Sequence, residues 1–215
     1  SHTISGYVTV VFYLISLSLY SLVLLLRKKF HSSFIIHHSS LLLIGLGISA
    51  FFWLPAITEM GYTNVSGQIG ATANFRDHFV CLPQLWNSLW GYGGSVSGCL
   101  DGMSFKIGKL HVILAAVGIM FGIVKLRQSV FRHPIGLFTM IGCVGVLLVT
   151  SLSTPIYELI PGFTYVQYPW RLLTLIVFAA SIVGSSFLIW LPKRLYRVVF
   201  TVPLVVAIFV LNAKL

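Results

Sequence analysis

Residues 172–191 read LLTLIVFAASIVGSSFLIWL, a run of twenty residues that contains no Asp, Glu, Lys or Arg. An α-helix of that length extends about 30 Å, which matches the hydrocarbon core of a bilayer. A helix that faces water would carry a charged face, and this run has none. The run therefore predicts a transmembrane helix.

The composition of the whole chain extends this prediction to most of its length. Hydrophobic residues make up 57% of the 215 residues, charged residues only 8%, and the mean hydropathy is +0.96. Soluble domains of ordinary composition do not reach such values. We therefore predict an all-α membrane protein, a bundle of about six transmembrane helices that forms one membrane domain over residues 1–215. The expected spans are about residues 4–26, 41–57, 110–126, 134–152, 172–191 and 198–212.

Two of these stretches contain pairs of small residues four positions apart. Gly118 and Gly122 form one pair, and Ala180 with Gly184 forms the other. Such spacing lets helix backbones approach closely in lipid. Chance in a glycine-rich chain is the alternative explanation.

The basic residues predict the orientation of the bundle. Nine of the fourteen Lys and Arg residues fall in three alternate loops, and these nine are Arg27, Lys28, Lys29, Lys125, Arg127, Arg132, Lys193, Arg194 and Arg197. Cytoplasmic loops are enriched in Lys and Arg, so we expect these loops on the cytoplasmic side of the plasma (inner) membrane. Both chain ends and a long loop over residues 58–109 are then expected outside the cytoplasm. We also expect the chain to be the C-terminal part of a longer protein, with N-terminal helices before Ser1.

The net charge of +10 does not indicate a nucleic-acid partner. The basic residues form short clusters between apolar stretches, where anionic lipid headgroups meet them, and no basic stripe is interleaved with aromatic residues. The expected partner is therefore the lipid bilayer. The histidines and cysteines show no H-x-H, H-E-x-x-H or C-x-x-C spacing, so the sequence predicts no metal site.

A helical pattern of large apolar residues marks the long extracytoplasmic loop. Its members Leu82, Leu85, Trp86, Leu89 and Trp90 would share one face of a helix. Trp favours the membrane interface, so the pattern predicts an amphipathic helix lying in the outer headgroup region. A helix packed on the surface of the bundle is the alternative.

Two cysteines of the same loop, Cys81 and Cys99, are candidates for a disulfide. An oxidising compartment outside the cytoplasm would favour the bond, which would stabilise the fold by about 3 kcal/mol in the chain-entropy model. Free thiols are the alternative.

The segment directly before the opening run places a cation at the expected outer boundary of the membrane. It reads QYPWR over residues 167–171, with Trp170 and Arg171 at its end. A guanidinium at this depth can hold a lipid phosphate through two parallel hydrogen bonds. An ordinary interfacial anchor is the alternative.

Residues 167–173, QYPWRLL, resemble the Q-F-P-W-R-F-L signature of a family of bacterial membrane proteins, the 6-pyruvoyl-tetrahydropterin-synthase-related proteins. Residues 53–59 resemble an aromatic-Leu-Pro-Ala segment of that family, and residues 90–108 resemble its loop pattern. The resemblance thus runs from about Phe51 to Leu173. The pterin part of the family name has no support here, because the zinc histidines of a pterin synthase are missing.

That family is similar in layout to the GT-C glycosyltransferases, which move a sugar from a polyprenyl-phosphate donor to an acceptor outside the cytoplasm. The resemblance implies the membrane-embedded C-terminal half of such an enzyme, used in cell-envelope glycan assembly. It implies that Arg171 binds the donor phosphate and that Gln167 and Trp170 shape the pocket. Acids that would assist acceptor or metal binding are Glu59, Asp77 and Asp101.

In GT-C enzymes the catalytic carboxylate usually lies near the N-terminus. The resemblance therefore implies that this chain alone is inactive, that its catalytic residues are unassigned, and that any divalent metal belongs to the full-length protein. Two other classes of function stay open, a lipid or polysaccharide flippase or transporter and a non-catalytic scaffold subunit. The near absence of charge inside the spans disfavours ion-coupled transport.

Overall fold

The computed structural model describes residues 2–26, 28–64, 74–126, 133–160, 162–191 and 194–212. These residues are mostly helical and include no β-strand. Their α-helices are α1 (His2–Leu26), α2 (Ser32–Ile48), α3 (Ala50–Thr58), α4 (Leu82–Trp86), α5 (Lys109–Leu126), α6 (Pro134–Val149), α7 (Thr154–Leu159), α8 (Leu173–Ser185) and α9 (Arg194–Asn212). Of the basic residues that predict the orientation, Arg27, Arg127, Arg132 and Lys193 lie outside the described residues.

Several helical segments begin at a proline. Pro83, Pro134, Pro155 and Pro169 all lie in the first turn of their helix. The first N–H groups of a helix have no partner within it, so the missing proline N–H is not needed there. Proline thus marks where these helical segments start.

Two helical segments are long and apolar enough to cross a membrane, Lys109–Leu126 and Pro169–Ile189. Two bent pairs pass the same test jointly, α2 with α3 and α6 with residues 151–159. The described part of the chain therefore offers two spans, or four if each bent pair is one span. The membrane character of the chain is supported to that extent, and the count of six stays a prediction.

The second predicted span, residues 41–57, is not one straight helix. α2 ends at Ile48, and α3 starts at Ala50 at an angle of 70° to it. Between them the Ser49 hydroxyl donates to the carbonyl oxygen of Gly45 at 2.8 Å. A serine that bonds back to the preceding turn bends a helix, and glycine and serine positions are common kink sites.

The closest packing in the molecule joins α8 to α5 and α6. A Cβ atom added at Gly118 of α5 would overlap the carbonyl oxygen of Val183, and one added at Gly145 of α6 would lie 2.8 Å from Cγ1 of Ile176. The glycines therefore let the backbones approach as closely as small-residue spacing predicts. The close approach at Gly118 is present in the structure.

We call residues 74–108 the cap, because they cover one end of this bundle. The backbone N–H of Val80 donates to the carbonyl oxygen of Val149 at 2.8 Å, which ties the cap to the end of α6. An apolar cluster continues this contact, and its buried members are Phe75, Val80, Leu85, Phe105, Leu148, Val149, Tyr157, Val166, Leu172 and Ile176. The cap is thus folded onto the bundle through a shared core.

The predicted amphipathic helix over residues 82–90 is wrong in length. α4 ends at Trp86, since Asn87 is extended with φ −141° and ψ 110°. Leu85 is buried, whereas Leu89 and Trp90 are exposed, so the apolar residues do not share one face. The cause is Asp101, which accepts hydrogen bonds from the residues that follow α4 and draws them out of helical geometry.

Candidate functional site

Arg171 lies in the 3-10 turn Pro169–Leu172, directly before α8. Its guanidinium carbon lies 4.6 Å from the centre of the Tyr168 ring and 5.7 Å from the centre of the Trp170 ring. Both contacts are within the range of cation–π attraction. Two aromatic rings therefore hold the cation at the start of an apolar helix.

One nitrogen of this guanidinium, Nη1 of Arg171, is buried and has no hydrogen-bond partner in the part of the chain that the structure describes. A buried donor without an acceptor costs roughly 1–3 kcal/mol. Among the described residues, Glu158 forms an ion pair with Arg76 at 2.5 Å. Glu158 therefore does not neutralise the charge of Arg171. An acceptor from outside the chain could satisfy this buried donor, and a planar guanidinium matches phosphate or carboxylate oxygens.

Ser95 of the cap connects this cation to a histidine. The indole Nε1 of Trp170 donates to Ser95 Oγ at 3.0 Å, and Ser95 Oγ is hydrogen-bonded to His78 Nδ1 at 2.8 Å. The His78 ring also lies 4.5 Å from the centre of the Tyr168 ring. Three separate segments thus meet at one place. We call His78, Ser95, Tyr168, Trp170 and Arg171 the arginine site.

The environment of His78 favours the uncharged ring. Partial burial lowers the pKa of His78 below its ordinary value, and the neighbouring Asp77 charge and a hydrogen bond with Ser95 oppose this shift. The net lowering places protonation on the acidic side of the usual histidine range. The arginine site therefore combines a permanent cation with a group that can acquire a second positive charge.

Gln167, which the resemblance places at the pocket, has the backbone conformation of a left-handed residue. Its φ is 51°, a value that is uncommon for a residue with a side chain. Such a conformation costs on the order of 1 kcal/mol and is found where neighbouring packing enforces it. Val166 and Pro169, both fully buried, supply that packing here.

Asp101 serves the cap and not the arginine site. It accepts hydrogen bonds from Ser88 Oγ at 2.7 Å, Gln84 Nε2 at 2.8 Å and the Leu89 N–H at 3.2 Å. The bonds from Ser88 and then Gln84 are the main reasons why the pKa of Asp101 is lowered. Because both oxygens are engaged, the structure gives this carboxylate a structural role.

The three acids that the resemblance implicates are not brought together. Glu59 follows α3 and is exposed, Asp77 is exposed beside His78, and Asp101 is bonded within the cap. Among the described residues no group of three His, Cys, Asp or Glu side chains could hold a metal ion. The structure therefore assigns no shared metal site to these acids.

Cys81 and Cys99 form a disulfide whose Cα atoms are 5.6 Å apart. The bond closes the loop that carries Ser95. Within it, Cβ atoms at Gly91 and Gly93 would lie 2.8 Å and 2.7 Å from the carbonyl oxygen of Gly102. The glycine cluster thus lets two backbone segments pack against each other. We conclude that the disulfide and the glycines together fix the position of Ser95.

Sequence reasoning found Arg171 and Trp170 but missed His78 and Ser95. The default for a lone histidine in a loop is a solvated side chain, and Ser95 lies in a glycine-rich stretch that resembles an ordinary turn. The pairing of these residues with Trp170 depends on contacts 17 and 75 residues apart along the chain. No local pattern reports such contacts.

The described residues form an all-helical protein with helices long enough to cross a membrane. At the start of one of these helices an arginine contacts two aromatic rings. Comparison with protein-family models, curated proteins and solved structures gives no match to this chain. The resemblance of residues 167–173 to a bacterial membrane family therefore rests on those residues and stays a prediction.

Proposed function

We propose that the arginine site binds the phosphate of a lipid-linked sugar donor. The chain would then be the membrane-embedded C-terminal half of a GT-C-like glycosyltransferase in cell-envelope glycan assembly. The observation that carries the proposal is the buried Nη1 of Arg171, which lacks a hydrogen-bond partner within the described residues. A phosphate oxygen would satisfy that donor.

The charge around the site favours an anion. Glu158 is paired with Arg76, and Asp101 accepts three hydrogen bonds inside the cap. Arg171 therefore keeps its full positive charge for a ligand. The Tyr168 and Trp170 rings partly screen the guanidinium from water, which strengthens a charge-assisted hydrogen bond.

The position of the site favours a phosphate that is attached to a lipid. Arg171 lies in the first turn of the apolar segment Pro169–Ile189. We place this end of the bundle outside the cytoplasm, in a plasma-membrane protein of about six spans with both chain ends outside. The Cys81–Cys99 disulfide supports this placement, because disulfides persist in oxidising compartments.

Binding and transfer are separate tasks in this proposal. In transfer, the bond from the sugar to the phosphate oxygen breaks with both electrons going to that oxygen, while the acceptor oxygen bonds the sugar and loses its proton to a base. The arginine site holds the phosphate and contains no carboxylate that could be this base. The base, and any divalent metal, would come from the N-terminal part of the protein.

Binding of farnesyl phosphate to the chain in lipid nanodiscs tests the first half of the proposal. Arg171→Gln should weaken binding roughly 10- to 100-fold, since a hydrogen bond to a charged group contributes about 1.5–3 kcal/mol. Arg171→Lys should retain part of the affinity, because it keeps the charge but loses the planar fork. Arg76→Gln is the matched control and should bind like the wild type.

Equal affinity of Arg171→Gln and the wild type, or an equal loss in Arg76→Gln, would overturn the binding proposal. The second half is tested in the full-length protein by transfer from a lipid-linked sugar. Arg171→Ala should abolish most of that transfer, and unchanged transfer would contradict the enzyme assignment. Lipid flipping without any glycosyl transfer would assign the chain to the flippase class instead.

A further inference from the structure

We infer that His78 is the group by which the arginine site distinguishes a doubly charged phosphate monoester from a singly charged phosphate diester. This inference rests on the proposed function and concerns the same site. The donor and the product of transfer differ in charge. The lipid-linked sugar donor is a diester with one negative charge, and the lipid phosphate left after transfer is a monoester with nearly two negative charges.

His78 and Arg171 both contact the Tyr168 ring. The ring centre of His78 and the guanidinium carbon of Arg171 lie 4.5 Å and 4.6 Å from the centre of the same Tyr168 ring. Ser95 then links His78 to Trp170, whose ring also contacts the guanidinium. A ligand that reaches the unpartnered Nη1 of Arg171 therefore enters the electrostatic surroundings of the imidazole.

The hydrogen bonds let His78 change its charge without losing its place. The Trp170 indole N–H can only donate, so Ser95 Oγ accepts from it and keeps its own proton for His78 Nδ1. When His78 is protonated, Nδ1 donates instead, and Ser95 Oγ has a second lone pair to accept that bond. The Ser95 contact is compatible with both protonation states.

The charges around His78 decide when it takes up a proton. On its own segment lie Asp77, which favours the charged ring, and Arg76, which is paired with Glu158. From the packed segment it faces Tyr168, whose ring also contacts the Arg171 guanidinium. Burial favours the neutral ring, and a second negative charge on a bound ligand would oppose that effect.

The preference follows from linkage between the proton and the ligand. A monoester attracts a proton onto His78, and the protonated ring then adds its attraction to that of Arg171. One unit of pKa change corresponds to a tenfold change in affinity. We therefore expect His78 to strengthen monoester binding about tenfold relative to diester binding. The site would hold the spent carrier more tightly than the donor, and it would stabilise the charge that develops on the leaving phosphate.

The test compares farnesyl phosphate with farnesyl methyl phosphate on the chain in nanodiscs at pH 7. The monoester is mostly doubly charged at this pH, because its second pKa is about 6, and the methyl diester carries one charge. Calorimetry in buffers of different ionisation enthalpy gives the affinity and the number of protons taken up. Wild type should prefer the monoester and take up a proton with it, but none with the diester.

His78→Gln keeps a hydrogen-bonding amide but cannot be protonated. It should lose about tenfold of the preference for the monoester over the diester and show no proton uptake. Unchanged preference and proton uptake in this variant would overturn the inference, while Arg171-dependent binding would leave the proposed function intact. Failure of wild type to bind either probe would overturn both.

His78→Gln could lose binding of both probes because the site no longer folds. Ser95→Ala is the second test for that outcome. This variant retains the imidazole but frees it from Trp170. Proton uptake that persists with the monoester supports the inference, because the imidazole is still present. Monoester binding without proton uptake contradicts it.

Discussion

The cap and the arm formed by α2 and α3 are both rich in aromatic and apolar residues, but they are held in different ways. The cap buries Phe75, Val80, Leu85 and Phe105 in the core, and a disulfide closes it. Neither α2 nor α3 has a buried residue. The side-chain hydrogen bonds of the arm stay within the arm, and most, such as that of Ser40, end on its own backbone.

This difference explains where precise side-chain positions occur. Directional bonds from Asp101 and Ser95 fix the cap, so His78 and Trp170 meet at a defined distance. The arm has the regular bonds of a helix and apolar faces that suit lipid, which does not impose a single packing. An acid at the end of the arm, Glu59, is therefore poorly placed to act with the arginine site.

The largest expected effect comes from adding one methyl group to a glycine in each region. A Cβ at Gly102 of the cap would overlap the carbonyl oxygen of Gly94, whereas nothing lies within 4 Å of a Cβ at Gly45 of α2. Gly102→Ala should reduce the free energy of unfolding by roughly 3 kcal/mol or more, because backbone cannot move aside as a side chain can. Gly45→Ala should stabilise its helix by up to about 1 kcal/mol.

Thermal unfolding in detergent would compare the two glycine variants under one condition. Comparable melting temperatures for Gly102→Ala and the wild type would show that the cap is not packed as described. Destabilisation by Gly45→Ala would show that the arm has a packing partner at that position.

Breaking the disulfide should have the next largest effect. In the variant with Cys81→Ser and Cys99→Ser the cap should lose about 3 kcal/mol, as expected for a loop of this length in the chain-entropy model. Amide hydrogen exchange resolved by segment is the measurement. Exchange should accelerate across residues 81–105 and stay unchanged in α2. Acceleration of equal size in both regions would contradict the separation of cap and arm.

Loss of the Asp101 carboxylate should cost less than loss of the disulfide. Asp101→Asn keeps one oxygen for Gln84 and Ser88, but it replaces the oxygen that accepts from the Leu89 N–H with a donor and removes the charge from all three bonds, which should lower cap stability by about 2 kcal/mol. Glu59→Gln in the arm is the matched control, and its effect should stay within about 0.5 kcal/mol. Hydrogen exchange of the cap would report both, and equal effects of the two variants would refute the anchoring role.

The pH dependence of the same carboxylate has a definite sign. The pKa of Asp101 is lower in the folded protein than in the unfolded chain, so its stabilisation is complete above about pH 4 and declines as the pH falls through the folded value. Lowering the pH should therefore destabilise the cap of the wild type more than it destabilises the cap of Asp101→Asn. Parallel acid curves for the two proteins would contradict this.

The sequence predicts those elements that depend on local composition. The runs at residues 109–126 and 169–189 are apolar helices because each is long and nearly free of charge, and the small residues at Gly118 and Gly184 pack closely as their spacing indicates. The Cys81–Cys99 pair is also visible, because both cysteines lie in one loop. Arg171 stands out because it adjoins a span and two aromatic residues.

Elements that depend on distant partners could not be predicted. The helical spacing of residues 82–90 is genuine, but Asp101 competes for the residues after Trp86 and ends the helix. The bend at Ser49 has a local cause, one hydroxyl that bonds to Gly45, but the apolar composition of residues 41–57 does not indicate it. The position of His78 depends on its hydrogen bond with Ser95, and no periodic pattern encodes that contact.

The smallest expected effect concerns the ion pair between the cap and α7. Arg76 and Glu158 are about half exposed, and water and salt screen their attraction, so a double-mutant cycle with Arg76→Gln and Glu158→Gln should give a coupling below about 1 kcal/mol. The coupling should fall further as ionic strength rises, since the Debye length shortens to a few ångströms. A coupling as large as the Asp101 effect would mean that charge, and not the shared apolar core and the disulfide, holds the cap on the bundle. The difference in stability between the cap and the arm would then arise from one surface ion pair, and high salt would remove that difference.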